Sequence, residues 1–191
     1  QQLENHEIYG LIVLDRREAS LGLLKGTSTI FLSKLTSGVP GKYKTGGQSA
    51  ARFARLREEA AHVFYNRIAE IAKKEFFGKK EIIGILIGGP GSTKQEFYDG
   101  DYLVTELKNK VLGLKDLTYT DEFGLNELVE KSQDLLVETA LAKEKGILNK
   151  FFIKLAKEPE KVTYGLKETK KALEIGAVEI LLISEALEDI E

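Results

Sequence analysis

Ile8-Tyr9-Gly10-Leu11-Ile12-Val13-Leu14-Asp15 is a short, almost unbroken apolar run closed by an acid. A run of this length and composition reads as a buried strand. Arg16-Arg17-Glu18 then turns the chain into Ala19 to Leu24, a second strand ending at Lys25-Gly26. Thr27 to Leu35, rich in Thr, Ile and Phe, reads as a third. Three consecutive strands with short polar breaks predict an antiparallel meander.

Outward from this meander the character changes. Thr36-Ser37-Gly38-Val39-Pro40-Gly41-Lys42-Tyr43-Lys44-Thr45-Gly46-Gly47-Gln48 holds four glycines, a proline and almost nothing to bury. A loop of this length favours a functional role over a mere connection. Ser49 suits an N-cap. Beyond it Phe53, Leu56, Ala60, Val63, Phe64, Ile68, Ile71 and Phe76 recur at three- and four-residue steps, the apolar face of a long helix that Gly78 ends. Ile82 to Ile87 is another buried strand, broken at Gly88-Gly89-Pro90-Gly91. A helix is expected from about Tyr102 to Leu112 and a strand near Leu117 to Tyr119. Helix follows from Leu125 to about Lys157, interrupted only at Gly146, with core clusters at Leu135-Leu136 and Ile147-Leu148. A strand at Val162 to Tyr164, a helix at Lys167 to Glu174 and a strand at Val178 to Ser184 complete the reading. Alternation of this kind implies an α/β fold, a mixed β-sheet packed with helices, followed by the beginning of a second α/β domain.

Composition narrows the function classes. The 191 residues are 42% hydrophobic and 30% charged, which suits a globular protein with a sizeable core. Cysteine is absent, so disulfides and thiolate metal sites are excluded, and a reducing intracellular location fits. His6 and His62 are far apart, so no metal site and no cofactor is expected. No apolar stretch approaches the roughly 18 residues of a membrane span. The net charge of -2 carries no global nucleic-acid signature, although local patches are hidden in such a sum. An N-terminus without Met or a signal pattern reads as a piece of a longer protein.

The chemistry lies in Gly46-Gly47-Gln48-Ser49-Ala50-Ala51-Arg52-Phe53-Ala54-Arg55-Leu56-Arg57. A chance Gly-Gly-Gln costs about one in several thousand per position, hence about a few percent over a whole chain. Its setting is more specific: a glycine-rich loop, an immediate helix start, and cations at Lys42, Lys44, Arg52, Arg55 and Arg57 with no acid between Gly41 and Arg57. Such a cationic collar suits RNA phosphates.

The stretch from Tyr9 through Gly-Gly-Gln and Arg52-Phe53-Ala54-Arg55-Leu56-Arg57 resembles the middle domain of the archaeal and eukaryotic class-1 peptide chain release factors. Thr36-Ser37-Gly38-Val39-Pro40-Gly41-Lys42 has the archaeal look. Lys171-Ala172-Leu173-Glu174-Ile175-Gly176-Ala177-Val178-Glu179 is similar to the start of that family's C-terminal domain. The resemblance therefore divides the chain into a middle domain, 1–138, carrying the loop at 36–48, and an incomplete N-terminal part of the C-terminal domain, 139–191.

That resemblance implies translation termination in the cytoplasm. The loop enters the peptidyl-transferase centre of the ribosome, among large-subunit rRNA, and promotes hydrolysis of the peptidyl-tRNA ester. Gly46, Gly47 and Gln48 carry this step, and Lys42, Lys44, Arg52, Arg55 and Arg57 contact rRNA and tRNA. The residue types fit. Water attack develops charge on the ester oxygens, so positioned donors matter more than a strong base. Two glycines permit positive φ and close approach. By analogy the Gln48 N–H stabilises the transition state or the leaving 3′ oxygen, while its side-chain amide, both donor and acceptor, shapes the water site and excludes larger nucleophiles. Further implied partners are a translational GTPase, through the C-terminal domain, and a methyltransferase acting on the Gln48 amide. The decoding motif of the family is absent from this chain, which by itself is not expected to read a codon.

Other motifs give way to simpler readings. Gly88-Gly89-Pro90-Gly91-Ser92-Thr93-Lys94 follows a strand, but its spacing is not that of a phosphate loop, and Pro90 removes a donor. His62 has no Ser, Cys or metal partner in sight and reads as a packed or half-exposed helix residue. Adjacent Glu58 and Glu59 face different ways. Two alternatives remain. A ribosome-rescue factor related to the family would share the flanking domains as a binding module without Gly-Gly-Gln. A stand-alone peptidyl-tRNA hydrolase would need its own nucleophile or base. The chain is thus expected to act only within the ribosome, not as a conventional enzyme.

Overall fold

The structure, a computed structural model, describes residues 7–38 and 49–184. The chain divides into two compact units, Gln1–Thr139 and Ala140–Glu191.

The first unit is built on a five-stranded mixed sheet in the order β3-β2-β1-β4-β5. Strands β1 (Ile8–Leu14), β2 (Glu18–Lys25) and β3 (Ser28–Thr36) form the antiparallel meander expected from sequence. Strands β4 (Ile82–Gly89) and β5 (Val111–Asp116) extend it in parallel from β1. β1 is buried on both faces, which is why its sequence is apolar throughout instead of alternating. Ile12 and Leu14 face one core, packed by Ala61, Phe64, Ile68 and Phe76 of helix α1 (Ser49–Phe76). Phe97 of α2 (Thr93–Asp99) and Leu107 of α3 (Thr105–Asn109) complete that layer. Tyr9, Leu11 and Val13 face the other core, under Leu125 and Leu128 of α4 (Glu122–Lys131). Leu135 and Leu136, at the start of α5 (Gln133–Lys157), pack against this second cluster. Gly78, with φ of 70°, stops α1 as its sequence position predicts.

Several boundaries differ from the sequence reading. The helix expected from Tyr102 to Leu112 is only α3, and the strand expected near Leu117 to Tyr119 is β5, several residues earlier. Leu103, Leu107 and Val111 mimic helical spacing. Val111 to Leu114 instead joins the sheet, where a side chain at Gly113 would meet Leu135 at 2.7 Å. The break in the long helical stretch falls at Ser132, not at Gly146, which lies inside α5 in open space.

The Ala140–Glu191 unit holds the remainder of α5, a single 3-10 turn at Pro159–Lys161 and α6 (Leu166–Glu174). Val162 to Tyr164 and Val178 to Ser184 are not strands. A strand is made by its ladder partner, and among the described residues this unit contains no sheet for either to join. Leu148 is exposed, so Ile147-Leu148 is not a buried cluster.

Candidate functional site

Lys42, Lys44, Gly46, Gly47 and Gln48 lie outside the described residues. Their two flanks are described, and these flanks fix what the loop springs from.

The outgoing flank is α1, 28 residues and about 42 Å long at 1.5 Å per residue. Only its second half belongs to the core, beginning at Ala61. Among the described side chains of positions 51–60 none is buried, so about 15 Å of helix stands clear of the apolar clusters. The expected apolar stripe is therefore corrected. Phe53 and Leu56 are each 45% exposed and Val63 is 59% exposed, whereas Ala61, Tyr65, Ala69 and Ala72 are buried instead.

Arg52 and Arg55 are exposed on this projecting part, and Arg57 is half-buried. Three residues apart, Arg52 and Arg55 share a face; Arg57 sits about 200° round from Arg55, so the cations surround the helix. Among the described residues no carboxylate forms an ion pair with any of the three. The first turn carries no acid, and the positive end of the helix dipole adds to the same field.

The incoming flank leaves the sheet at the end of β3. The Ser37 N–H donates to the Arg17 carbonyl and its hydroxyl to the Arg16 carbonyl, each at 2.6 Å. Arg67 of α1 reaches the Thr36 carbonyl at 3.3 Å. The β1–β2 turn that receives Ser37 is itself closed by Asp15, whose Oδ1 accepts the N–H groups of Arg17 and Glu18 at 2.7 Å.

Beside this turn lies a cleft of about 420 Å³ lined by Arg16, Glu58, His62, Tyr65, Glu96 and Tyr102 among others. The Arg16 guanidinium donates to Glu58 Oε1 at 3.2 Å and to Glu96 Oε2 at 3.0 Å. Glu96 also accepts from the Ser92 and Tyr65 hydroxyls. Burial pushes the Glu96 carboxyl up, but Ser92, Arg16 and Tyr65 together outweigh it and hold the group below its ordinary value. Burial first, then the Glu96 charge, pushes the Tyr65 phenol up to about 12. His62 is exposed, and its Nδ1 is hydrogen-bonded to the Tyr102 hydroxyl. That arrangement offers no activated nucleophile.

The strand-to-helix turn at Gly88-Gly89-Pro90-Gly91 is structural. A side chain at Gly89 would meet the Leu14 carbonyl at 2.0 Å. The buried Lys94 ammonium is spent on the Gly91 carbonyl and on Asp116, so it is not presented to a phosphate. Among the described residues no group of three or more His, Asp or Glu side chains could hold a metal ion, and no helix is long and apolar enough to cross a membrane. Sequence reasoning missed Arg16 and Glu58. Both look like ordinary surface charges until the fold joins them.

Comparison with known proteins agrees with this architecture. The family model described as eRF1 domain 2 matches residues 8–138, and that of eRF1 domain 3 matches residues 141–191. Peptide chain release factor subunit 1 of Thermococcus onnurineus is 49% identical over 193 residues, covering 100% of this chain and 46% of the relative. That of Archaeoglobus fulgidus is 50% identical over 188 residues, covering 98% and 46%. The chain thus spans about half the length of the curated relatives it matches. Among solved structures, the archaeal translation termination factor aRF1 superposes with a TM-score of 0.61 at 32% identity, over 98% of this chain and 52% of that one. Dom34 of S. cerevisiae, at 23% identity and a TM-score of 0.51 over 88% of this chain and 45% of that one, shares the fold. With both domain models and its relatives agreeing along its whole length, the chain belongs to the archaeal and eukaryotic class-1 peptide chain release factor family.

Proposed function

We propose that this chain carries the peptide-releasing part of a cytoplasmic translation termination factor. Gly46, Gly47 and Gln48 form the tip that enters the peptidyl-transferase centre, where the Gln48 N–H and side-chain amide order water and the leaving oxygen of the peptidyl-tRNA ester. Arg52, Arg55 and Arg57, with Lys42 and Lys44, contact rRNA and tRNA phosphates. The Ala140–Glu191 unit belongs to the domain that engages a translational GTPase. The Gln48 amide is the substrate of a methyltransferase.

The observation that carries this reading is the placement of Gly-Gly-Gln directly before a helix whose first turns stand outside the core. A helix lining a catalytic cleft would be packed into the core; one that projects can carry a probe to someone else's site. The ribosome then supplies the rest of the catalyst, and release depends on it.

The test is release of peptide from stalled ribosomes by the full-length parent protein. Gly46→Ala is expected to lower the rate about 100-fold, because the added Cβ restricts the backbone geometry that places Gln48. Equal release by Gly46→Ala and wild type would sink the reading. Free peptidyl-tRNA without ribosomes should remain intact, and its hydrolysis would favour a stand-alone enzyme.

A further inference from the structure

We propose that Arg16 is a positioning residue for peptide release, holding both roots of the Gly-Gly-Gln loop from one turn. The inference rests on the function proposed above and extends it to a residue outside the motif.

The geometry is specific. On the incoming side, the carbonyls of Arg16 and Arg17 take the hydroxyl and N–H of Ser37, where the chain leaves β3. On the outgoing side, the Arg16 guanidinium holds Glu58. Glu58 lies three residues before Ala61, where α1 joins the core. The second arm of the guanidinium is fixed on Glu96 of α2, itself held by Ser92 and Tyr65. Tyr65 is wedged edge-on against Phe97 and Tyr102. The loop's entry and the projecting helix are therefore referenced to one side chain and its own backbone.

Leverage makes the contact matter. Ser49 lies nine residues before Glu58, about 14 Å along the helix, so a tilt of about 5° at Glu58 moves the helix start by about 1 Å. Displacements of about 1 Å at a reacting centre cost up to about 100-fold in rate. The cleft itself is not an open receptor, because the carboxylate of Glu96 is already engaged by Arg16, Ser92 and Tyr65. Arg16 belongs to neither apolar cluster, and its side chain is 41% exposed. Its removal is thus expected to spare folding and to act through position. A lysine at this place carries its three donors on one nitrogen, so it lacks the spread of the guanidinium fork and is expected to hold the two carboxylates less well.

The experiment compares Arg16→Ala, Arg16→Lys and Gly46→Ala in the full-length parent protein, by single-turnover release from stalled ribosomes over a range of factor concentrations. Arg16→Ala is expected to lower the rate at saturation about ten-fold, with the half-saturating concentration and the melting temperature unchanged; Arg16→Lys should recover part of it. Adding Glu58→Gln to Arg16→Ala should cost nothing further. Amide exchange at positions 51–57 should quicken in Arg16→Ala while positions 61–76 stay protected. A wild-type rate for Arg16→Ala, or a loss seen only in the half-saturating concentration, overturns the positioning role. So does a loss that follows a lowered melting temperature. If Gly46→Ala is inactive and Arg16→Ala normal, only this inference fails; if Gly46→Ala releases normally, the proposed function fails with it.

Discussion

Glu127, on α4, accepts the N–H groups of Thr118 and Tyr119 at 2.8 and 3.2 Å, the Thr118 hydroxyl at 3.1 Å and the Lys131 ammonium at 2.9 Å. Burial pushes its carboxyl up from 4.5, but these donors outweigh burial and hold it at about 2. A carboxylate depressed by folding binds protons more readily when unfolded. Its contribution is therefore complete above about pH 4.5 and is lost as the pH falls towards about 2. Glu127→Gln should cost about 1.5–3 kcal/mol at neutral pH, a difference that closes in acid. Thermal melts of both proteins across that range check it, and a gap independent of pH would refute the charge argument. Residues of this kind are silent in the sequence. Gly46, Gly47 and Gln48 stand out because the resemblance they carry lies in consecutive positions. Glu127 and Arg16 act through partners that the chain brings from elsewhere.

At the scale of elements, α1 has two halves in different surroundings. Phe64 lies fully inside the core, and Phe53, on the same apolar repeat, does not. Phe64→Ala should destabilise the chain by about 3–5 kcal/mol. Phe53→Ala should change stability by less than about 0.5 kcal/mol. Urea denaturation of the two variants reads the difference, and similar midpoints would contradict the division. Periodicity named the helix correctly yet could not see the division. An apolar stripe continues unchanged whether or not a sheet lies beneath it. The same blindness ran a helix into Val111 and Leu112, the start of β5, whose parallel pairing with β4 outweighs a spacing that also suits a helix. The sequence puts the break in the long helical stretch at Gly146, but a side chain there would point into open space inside α5. The chain turns at Ser132, where α4 must stay on the sheet.

For the molecule as a whole, a net charge of -2 conceals a segregation: from Gly41 to Arg57 every charge is positive. If these cations meet RNA phosphates, ribosome binding by the full-length parent should weaken linearly in log salt. Replacing Arg52 and Arg55 by Ala should reduce the magnitude of that slope by about 1–2 units. An unchanged slope would remove them from the contact. The sequence by itself determined the α/β class and the three-strand meander, and it set Gly46-Gly47-Gln48 among cationic neighbours in the chain. Each depends on neighbours within a few residues. The tertiary structure alone decided that β5 completes the parallel edge, that the first half of α1 leaves the core, and that Arg16 ties together the loop's two roots. Ladders and ion pairs join residues remote in the chain, 42 positions apart for Arg16 and Glu58 and 80 for Arg16 and Glu96, and no local pattern encodes such a meeting.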